Sequence, residues 1–413
     1  MKNLRIAMGV WLASLGLLVL LLSGVPVQAQ PVYKKKPEKN AAIVTGAERM
    51  EDYLPRLKGK RVALLVNQTS IVGEGHLLDA LLERKVKVVK VFVPEHGFRG
   101  SADAGAHVGN STDKKSGLPI ISLYGETKRP RNEQLKDVDV FIYDLQDVGA
   151  RFYTYISSLE YIMEACAATG KELMVLDRPN PNGHYVDGPV LDRQLRSFVG
   201  MQPVPVVYGM TAGEYARMLK GEQWVKGADK LKLTVIECAH YDHTRKYALP
   251  VAPSPNLKTM AAIYLYPSLC LFEGTAISVG RGTDRPFQQW GHPELSGEAS
   301  HSFTPESTTG ASKPMYEGKK CFGVLIAETD KGALEKNGDR FNLSWLIQAY
   351  QWFPDKNKFF NNNNFFEKLA GTTELRRQIQ SGMSEEQIRA TWQNDLAAFR
   401  KVRKKYLLYK DFE

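Results

Sequence analysis

Short apolar runs rich in β-branched residues recur along the first half of the chain, and stretches of helical periodicity separate them. The runs at 61–66, 86–93, 138–145 and 172–176 read as strands, and 231–237 reads as a further strand that ends the layer. Leu77–Glu83, 153–168 and 211–219 read as helices, the last opened by Thr211 with Glu214 three residues on as a capping box. Strands that alternate with helices predict an α/β fold in which helices wrap a parallel sheet. Pro253 and Pro255 interrupt this order and mark a boundary near residue 256, beyond which the pattern is mixed and less periodic. The clearest later element is a terminal helix capped by Ser384 and Gln387, with Ile388, Trp392, Leu396, Phe399, Val402 and Tyr406 on one packing stripe.

The amino terminus changes the picture of where the protein works. Lys2 and Arg5 precede an apolar run at 6–22, and Val27-Gln28-Ala29 supplies a small-residue cleavage site, which is the layout of a secretory signal peptide. Cleavage after Ala29 predicts a secreted or periplasmic protein with no stable membrane span. Residues 30–54 then form an extension, 55–256 the sheet domain and 257–413 an auxiliary domain. The formal charge of +10 sits largely in Lys34 to Lys36 and Arg400 to Lys405. Such runs are solvated ends rather than a nucleic-acid surface, although a mildly positive protein suits anionic cell-wall polymers. Cys166, Cys238, Cys270 and Cys321 form no CxxC pair and read as buried thiols.

In an open parallel sheet, ligands bind beyond the carboxyl ends of the strands, so the residues just after each apolar run carry the information. Here those residues are polar: Asn67-Gln68, Pro94-Glu95-His96-Gly97, Asp144-Leu145-Gln146-Asp147 and Asp177-Arg178-Pro179-Asn180. A lone Asp or Asn at such a place is ordinarily a turn or a cap, but four groups together predict a common cleft. Glu95 directly follows an apolar strand, where partial burial favours the protonated form a general acid needs; the bland alternative is a structural pair with Arg99. Arg151, Tyr153 and their neighbours enter a helix from a glycine turn and offer aromatic faces and a planar donor. The bland reading, with the aromatics in the core and Arg151 paired to Asp147, is equally open. In the second region, Glu273-Gly274-Thr275 and Gly280-Arg281-Gly282-Thr283-Asp284 form a comparable polar, glycine-rich loop.

Several chemistries are disfavoured. The first turn offers Gly73-Glu74-Gly75 followed by Leu78 where a dinucleotide loop needs a third glycine, and no Walker lysine occurs, so no nucleotide cofactor is expected. His240 and His243 lack a third ligand nearby, and no metal is expected. An esterase or phosphatase would need a Gly-x-Ser-x-Gly elbow or a metal cluster, and neither is present.

At these residues the chain resembles the NamZ-type exo-β-N-acetylmuramidases, bacterial cell-wall glycosidases. The resemblance runs through Val93 to Gly100, Asp144 to Tyr155, Leu176 to Pro181, Tyr266 to Thr275, Gly280 to Asp284 and Lys405 to Tyr409. It implies a Rossmann-like first domain, a smaller second domain with the active cleft between them, and a catalytic glutamate in the Pro-Glu-His-Gly motif, here Glu95. The substrates it implies are peptidoglycan-derived muropeptides or the MurNAc-GlcNAc disaccharide, cut at the non-reducing terminal N-acetylmuramic acid. Asp144 and Asp147 are the leading candidates for the second catalytic group, with Asp103 and Glu273 as others. His96, Arg99, Gln146, Arg151, Tyr153, Arg178, Asn180, Glu273, Arg281 and Asp284 are the expected sugar contacts. The alternative from another class is a muropeptide-binding protein without catalysis. Muramic acid differs from N-acetylglucosamine by a lactyl carboxylate, which an arginine can grip through two parallel bonds, so Arg151, Arg178 and Arg281 are the expected specificity residues.

Overall fold

The first apolar run becomes β1 (Arg61–Val66), and every residue of it after Arg61 is buried. The computed structural model describes residues 41–98, 109–125 and 127–413, of which Ala42–Glu413 form one compact unit. After β1 come the two-residue strands β2 (Ile71–Val72) and β3 (Gly75–His76), a hairpin that fills the first crossover. Next are β4 (Lys87–Val93), β5 (Ser111–Thr112), β6 (Pro119–Ser122), β7 (Val140–Asp144), β8 (Glu172–Leu176) and β9 (Lys232–Ile236). The sheet order is β5-β6-β4-β1-β7-β8-β9, parallel throughout except for β5 at the edge. The parallel strands thus follow the doubly wound Rossmann order, and its switch point lies where β4 and β7 flank β1.

Alternation along the strands divides the core into two layers. Val62, Leu64, Val66, Ile142 and Met174 face α1 (Met50–Leu57) and α2 (Leu77–Glu83). Ala63, Leu65, Phe141, Tyr143, Leu173 and Val175 face the opposite way, toward α3 (Tyr155–Thr169) and α4 (Ala212–Gly221). The capping box at Thr211 and Glu214 forms as expected.

The second, smaller domain opens with α5 (Met260–Leu269) and adds the antiparallel sheet β10 (Gln289–His292), β12 (Cys321–Leu325) and β11 (His301–Phe303), in that spatial order. The helices α6 (Asp330–Asn337), α7 (Ser344–Trp352), α8 (Phe365–Ala370) and α9 (Glu374–Gln380) follow. The expected single terminal helix is two, α10 (Glu385–Ala390) and α11 (Gln393–Arg403), although the Ser384–Gln387 capping box is present. The break falls at Trp392, whose ψ of 5° leaves the helical range while its ring stays buried. One hydrophobic core runs from Phe141 and Tyr143 of the large sheet to Phe272, Trp290 and Phe399 of the second domain. All four cysteines are buried free thiols.

Arg151 ties the domains together. It is fully buried, and Nη1 donates to the carbonyls of Pro189 and Val204 at 2.8 Å each. Nη2 donates to those of Leu369 and Ala370 at 2.9 and 2.7 Å. The last two are carbonyls at the end of α8, which have no partner within the helix and whose dipole favours a cation. Gly371, at φ 76°, leaves room for this approach, since a Cβ there would lie 2.5 Å from Nη2. Burial pushes the guanidinium down to about 9, which leaves it charged at neutral pH. Arg151→Met should therefore strand four carbonyls and cost roughly 3 to 5 kcal/mol. Urea denaturation measures this, and a loss below about 1 kcal/mol would remove Arg151 from this role.

Candidate functional site

β4 delivers its apolar residues to the core and ends at Val93, so Pro94 and Glu95 emerge at the carboxyl edge of the sheet. The Gly97 amide donates to the Pro94 carbonyl at 3.1 Å and closes a tight turn. His96 and Gly97 both lie in the left-handed region, at φ 70° and 74°. A side chain bears a cost there that a glycine does not, and such strain concentrates at functional turns. Glu95 is half-buried. The Thr154 hydroxyl donates to its Oε2 at 3.3 Å, and the Tyr124 hydroxyl also bonds its carboxylate. Burial, the Glu95 charge and that bond together hold the Tyr124 phenol above its ordinary value.

Glu95 and His96 line a cavity of about 670 Å³ built by both domains, a size suited to a sugar or disaccharide. From the first domain come Tyr124, Phe198 and the run Phe152-Tyr153-Thr154-Tyr155; from the second come Tyr266, Cys270, Glu273, Ile277 to Val279, Arg281, Phe287 and 310–315. The aromatic rings form an edge-to-face chain: Tyr155 to Tyr153 at 4.7 Å, Tyr153 to Tyr266 at 6.0 Å, and Tyr266 to Phe287 at 5.0 Å. The Tyr153 and Tyr155 hydroxyls both donate to the Pro253 carbonyl, at 2.9 and 3.2 Å, and the Asn67 amide donates to Tyr155 at 2.8 Å. Burial keeps both phenols neutral. Opposite charges meet in the second domain, where Arg281 Nε lies 2.6 Å from Glu273 Oε1. Burial is the largest influence and lowers the guanidinium, but the charge and hydrogen bond of Glu273, with the smaller effects of Tyr266 and Cys270, together carry Arg281 above its usual value. Its guanidinium carbon lies 5.0 Å from the centroid of the Phe287 ring.

The expected site residues divide by depth. Glu95, His96, Tyr153, Glu273 and Arg281 reach the cavity. Asp144, Asp147, Gln146, Arg151, Arg178 and Asn180 do not line it; they form a buried polar layer among the strand ends. Asp144 takes two bonds from Arg178, at 2.6 and 2.9 Å, and Arg178 also donates to the Ile71 carbonyl. Asp144 and Arg178, expected in catalysis and sugar contact, thus bond each other and do not line the cavity. Asp147 accepts from the Tyr208 hydroxyl and, at 2.7 Å, from the Gly149 amide. Gln146 holds the Asp147 and Pro179 carbonyls, and Asn180 holds that of Met210. Arg151 pairs with carbonyls and not with Asp147. Asp284 is exposed and lies beside Arg285. Arg99 and Asp103 lie outside the described residues, as does the whole of the expected signal segment.

Three cavity residues carry functional promise that the sequence reading passed over. Thr154 stands inside a motif but attracted no role, and Tyr124 follows the short strand β6, whose four residues gave little periodic signal. Lys313 belongs to a loop without any motif.

A doubly wound sheet, roofed by a second domain over an aromatic cavity with carboxylates on both walls, defines an α/β protein of the carbohydrate-hydrolysing class. Sequence profiles of the amino-terminal and carboxy-terminal parts of the exo-β-N-acetylmuramidase NamZ match residues 62–261 and 264–409. The chain belongs to the NamZ exo-β-N-acetylmuramidase family, and is a glycoside hydrolase. It is 39% identical over 402 residues to the peptidoglycan β-N-acetylmuramidase NamZ of Bacillus subtilis (strain 168), covering 92% of this chain and 95% of that one. Two crystal structures of DUF1343 family proteins from Bacteroides fragilis NCTC 9343 share the fold. One is 47% identical with a TM-score of 0.82, covering 90% of this chain and 100% of the other. The second is 29% identical with a TM-score of 0.70, covering 89% and 99%.

The division by depth is testable at Asp147. Burial raises its carboxyl to about 6, against the opposing bonds from Tyr208 and Gly149. A carboxyl whose folded value is raised binds protons better in the native state, so its stabilising contribution is full below its ordinary 3.8 and is lost as pH rises through about 6. Asp147→Asn should flatten this loss of stability between about pH 4 and 6 while kcat stays within about tenfold of wild type. Thermal unfolding across pH and a rate assay read both, and a collapse of kcat in a folded variant would return Asp147 to the chemistry.

Proposed function

We propose that the protein removes β-linked N-acetylmuramic acid from the non-reducing ends of peptidoglycan fragments, with Glu95 as proton donor to the departing oxygen. The observation that carries this reading is a glutamate left half-buried at a strand end inside the cavity and held by two hydroxyls. A carboxyl so placed keeps one fixed orientation and retains access to substrate. The bond between C1 of the muramic acid and the bridging oxygen breaks as the proton moves from Glu95 to that oxygen, and the elements of water complete the two products. Positive charge develops at C1 as the bond lengthens. Glu273, the other cavity carboxylate among the described residues, is the group available in the second domain to shield that charge or to accept a proton from water. The aromatic chain from Tyr155 to Phe287 gives the sugar ring apolar faces and keeps bulk water out.

The proposed substrates are muropeptides and the MurNAc-GlcNAc disaccharide, fragments of the kind that cell-wall turnover supplies. The amino-terminal pattern supports release outside the cytoplasm, in the periplasm or the medium, with Gln30 as the mature first residue. Among the described residues no helix is long and apolar enough to cross a membrane. Amino-terminal sequencing of protein from the native host decides this, and an intact Met1 in the membrane fraction would sink it.

Glu95→Gln keeps the shape of the side chain but has no proton to donate, and should slow hydrolysis of a chromogenic N-acetylmuramide by about a hundredfold to ten-thousandfold. Binding of the sugar should survive, as calorimetry would show. A variant that keeps most of the wild-type rate would exclude Glu95, and a wild type that binds muropeptides without cleaving them would favour a binding protein instead.

A further inference from the structure

Muramic acid carries one feature that N-acetylglucosamine lacks, the lactyl ether with its carboxylate, and a selective site needs a cation to meet it. Arginine was the expected answer, yet each of the three candidates is already engaged. Arg151 is consumed by four carbonyls and Arg178 by Asp144, while the charge of Arg281 is offset through its Nε by Glu273 at 2.6 Å. The other cavity-lining cation among the described residues is Lys313, which is exposed and has no ion pair there.

The backbone beneath Lys313 is held on both sides. Thr308 and Ala311 exchange two bonds, at 3.1 and 3.0 Å. The Asn256 amide grips the Gly310 carbonyl at 2.7 Å, and the Tyr316 hydroxyl donates to the Ala276 carbonyl at 2.7 Å. Ala311 and Pro314 are buried while Lys313 between them is not. The Pro314 ring packs so closely on Gly282 that a Cβ there would lie 2.6 Å from it. A long ammonium side chain on a fixed backbone, lining the cavity and without an ion pair among the described residues, is the arrangement a substrate anion requires.

We propose that Lys313 is the specificity residue of this enzyme, pairing with the lactyl carboxylate of the muramic acid whose glycosidic bond is cut where that carboxylate is free, as in the disaccharide, and not where a stem peptide holds it as an amide. This rests on the functional reading above and goes beyond it by assigning the recognition of the acid to one residue. The pair forms at an exposed edge of the cavity, so it discriminates by charge, weakens with salt, and leaves the chemical step to other groups.

The test compares kcat/KM of wild type, K313Q and K313R on aryl glycosides of three sugars: N-acetylmuramic acid, its lactyl amide, and N-acetylglucosamine. The expected result is a loss of about threefold to thirtyfold by K313Q on the acid alone, with K313R close to wild type. The wild-type preference for acid over amide should shrink as ionic strength rises, and that of K313Q should not respond. A K313Q enzyme with an unchanged acid-to-amide ratio overturns the assignment, as does an equal loss on all three sugars, which would mark Lys313 as a structural residue. A wild type that hydrolyses none of the muramides overturns the functional reading itself, which is a different outcome from either of these.

Discussion

The cleft depends on a buried cation, Arg151, that has no carboxylate partner among the described residues. The two terminal nitrogens of Arg151 bond four carbonyl dipoles, two from the loops at Pro189 and Val204 and two from the end of α8, while its Nε has no partner among the described residues. An unpaired charge in this core would ordinarily be too costly to keep. Carbonyls left over at a helix end are a natural counterpart, since they need donors and their dipoles favour positive charge. Four residues that build the cavity wall, Phe152 to Tyr155, follow Arg151 directly, and Leu369, whose carbonyl it holds, lines the same cavity. The position of the aromatic wall in one domain is thus fixed relative to the other by hydrogen bonds to the backbone, which side-chain drift cannot easily loosen.

The polar residues at the strand ends sort into two levels around this anchor. Asp144 with Arg178, and Asp177 with Thr211 and Tyr409, satisfy one another below the cavity, with Tyr409 donating to Asp177 at 2.6 Å. Glu95 and Glu273 stand above them, where ligand can reach. The lower level holds the upper in place: strand ends with unsatisfied polar groups would not pack, and the loops that carry Glu95 and Tyr153 would have no stable base. The terminal motif belongs to this lower level, because Leu408 and Tyr409 place their amides on Glu214 and the Tyr409 hydroxyl on Asp177.

What the sequence revealed and what it hid follow from the same distinction. β1 and β8 coincide with the apolar runs at 61–66 and 172–176, because a strand buried on both faces has a signal in every residue. The strand-end rule found one wall of the cleft, the Glu95 turn after β4, while the groups after β1, β7 and β8 that it placed beside it do not line the cavity. Depth at a strand end was not legible: Asp144, Asp147, Arg151 and Arg178 are as polar as Glu95, and only the three-dimensional partners show which are already engaged. β6 was missed because a strand of four residues has too little pattern, and the terminal helix was read as one because its apolar stripe continues across the break at Trp392. Lys313 had no signal at all, since a lysine in a loop is usually only solvated.

A shared core and an interdomain anchor also constrain how the enzyme can work. Two domains that moved apart as a hinge would have to pull the α8 carbonyls off Arg151 and the tail amides off Glu214, and would expose the apolar surface between Tyr143 and Trp290. Each of these contacts joins the carboxy-terminal region to the sheet domain at a different place, so no single axis spares them all. The described walls of the cavity are thus tied to one another in the ligand-free protein. In such a site, discrimination between closely related sugars rests on the side chains that remain unengaged along its walls, and the fixed backbone under each of them decides which part of the sugar it meets.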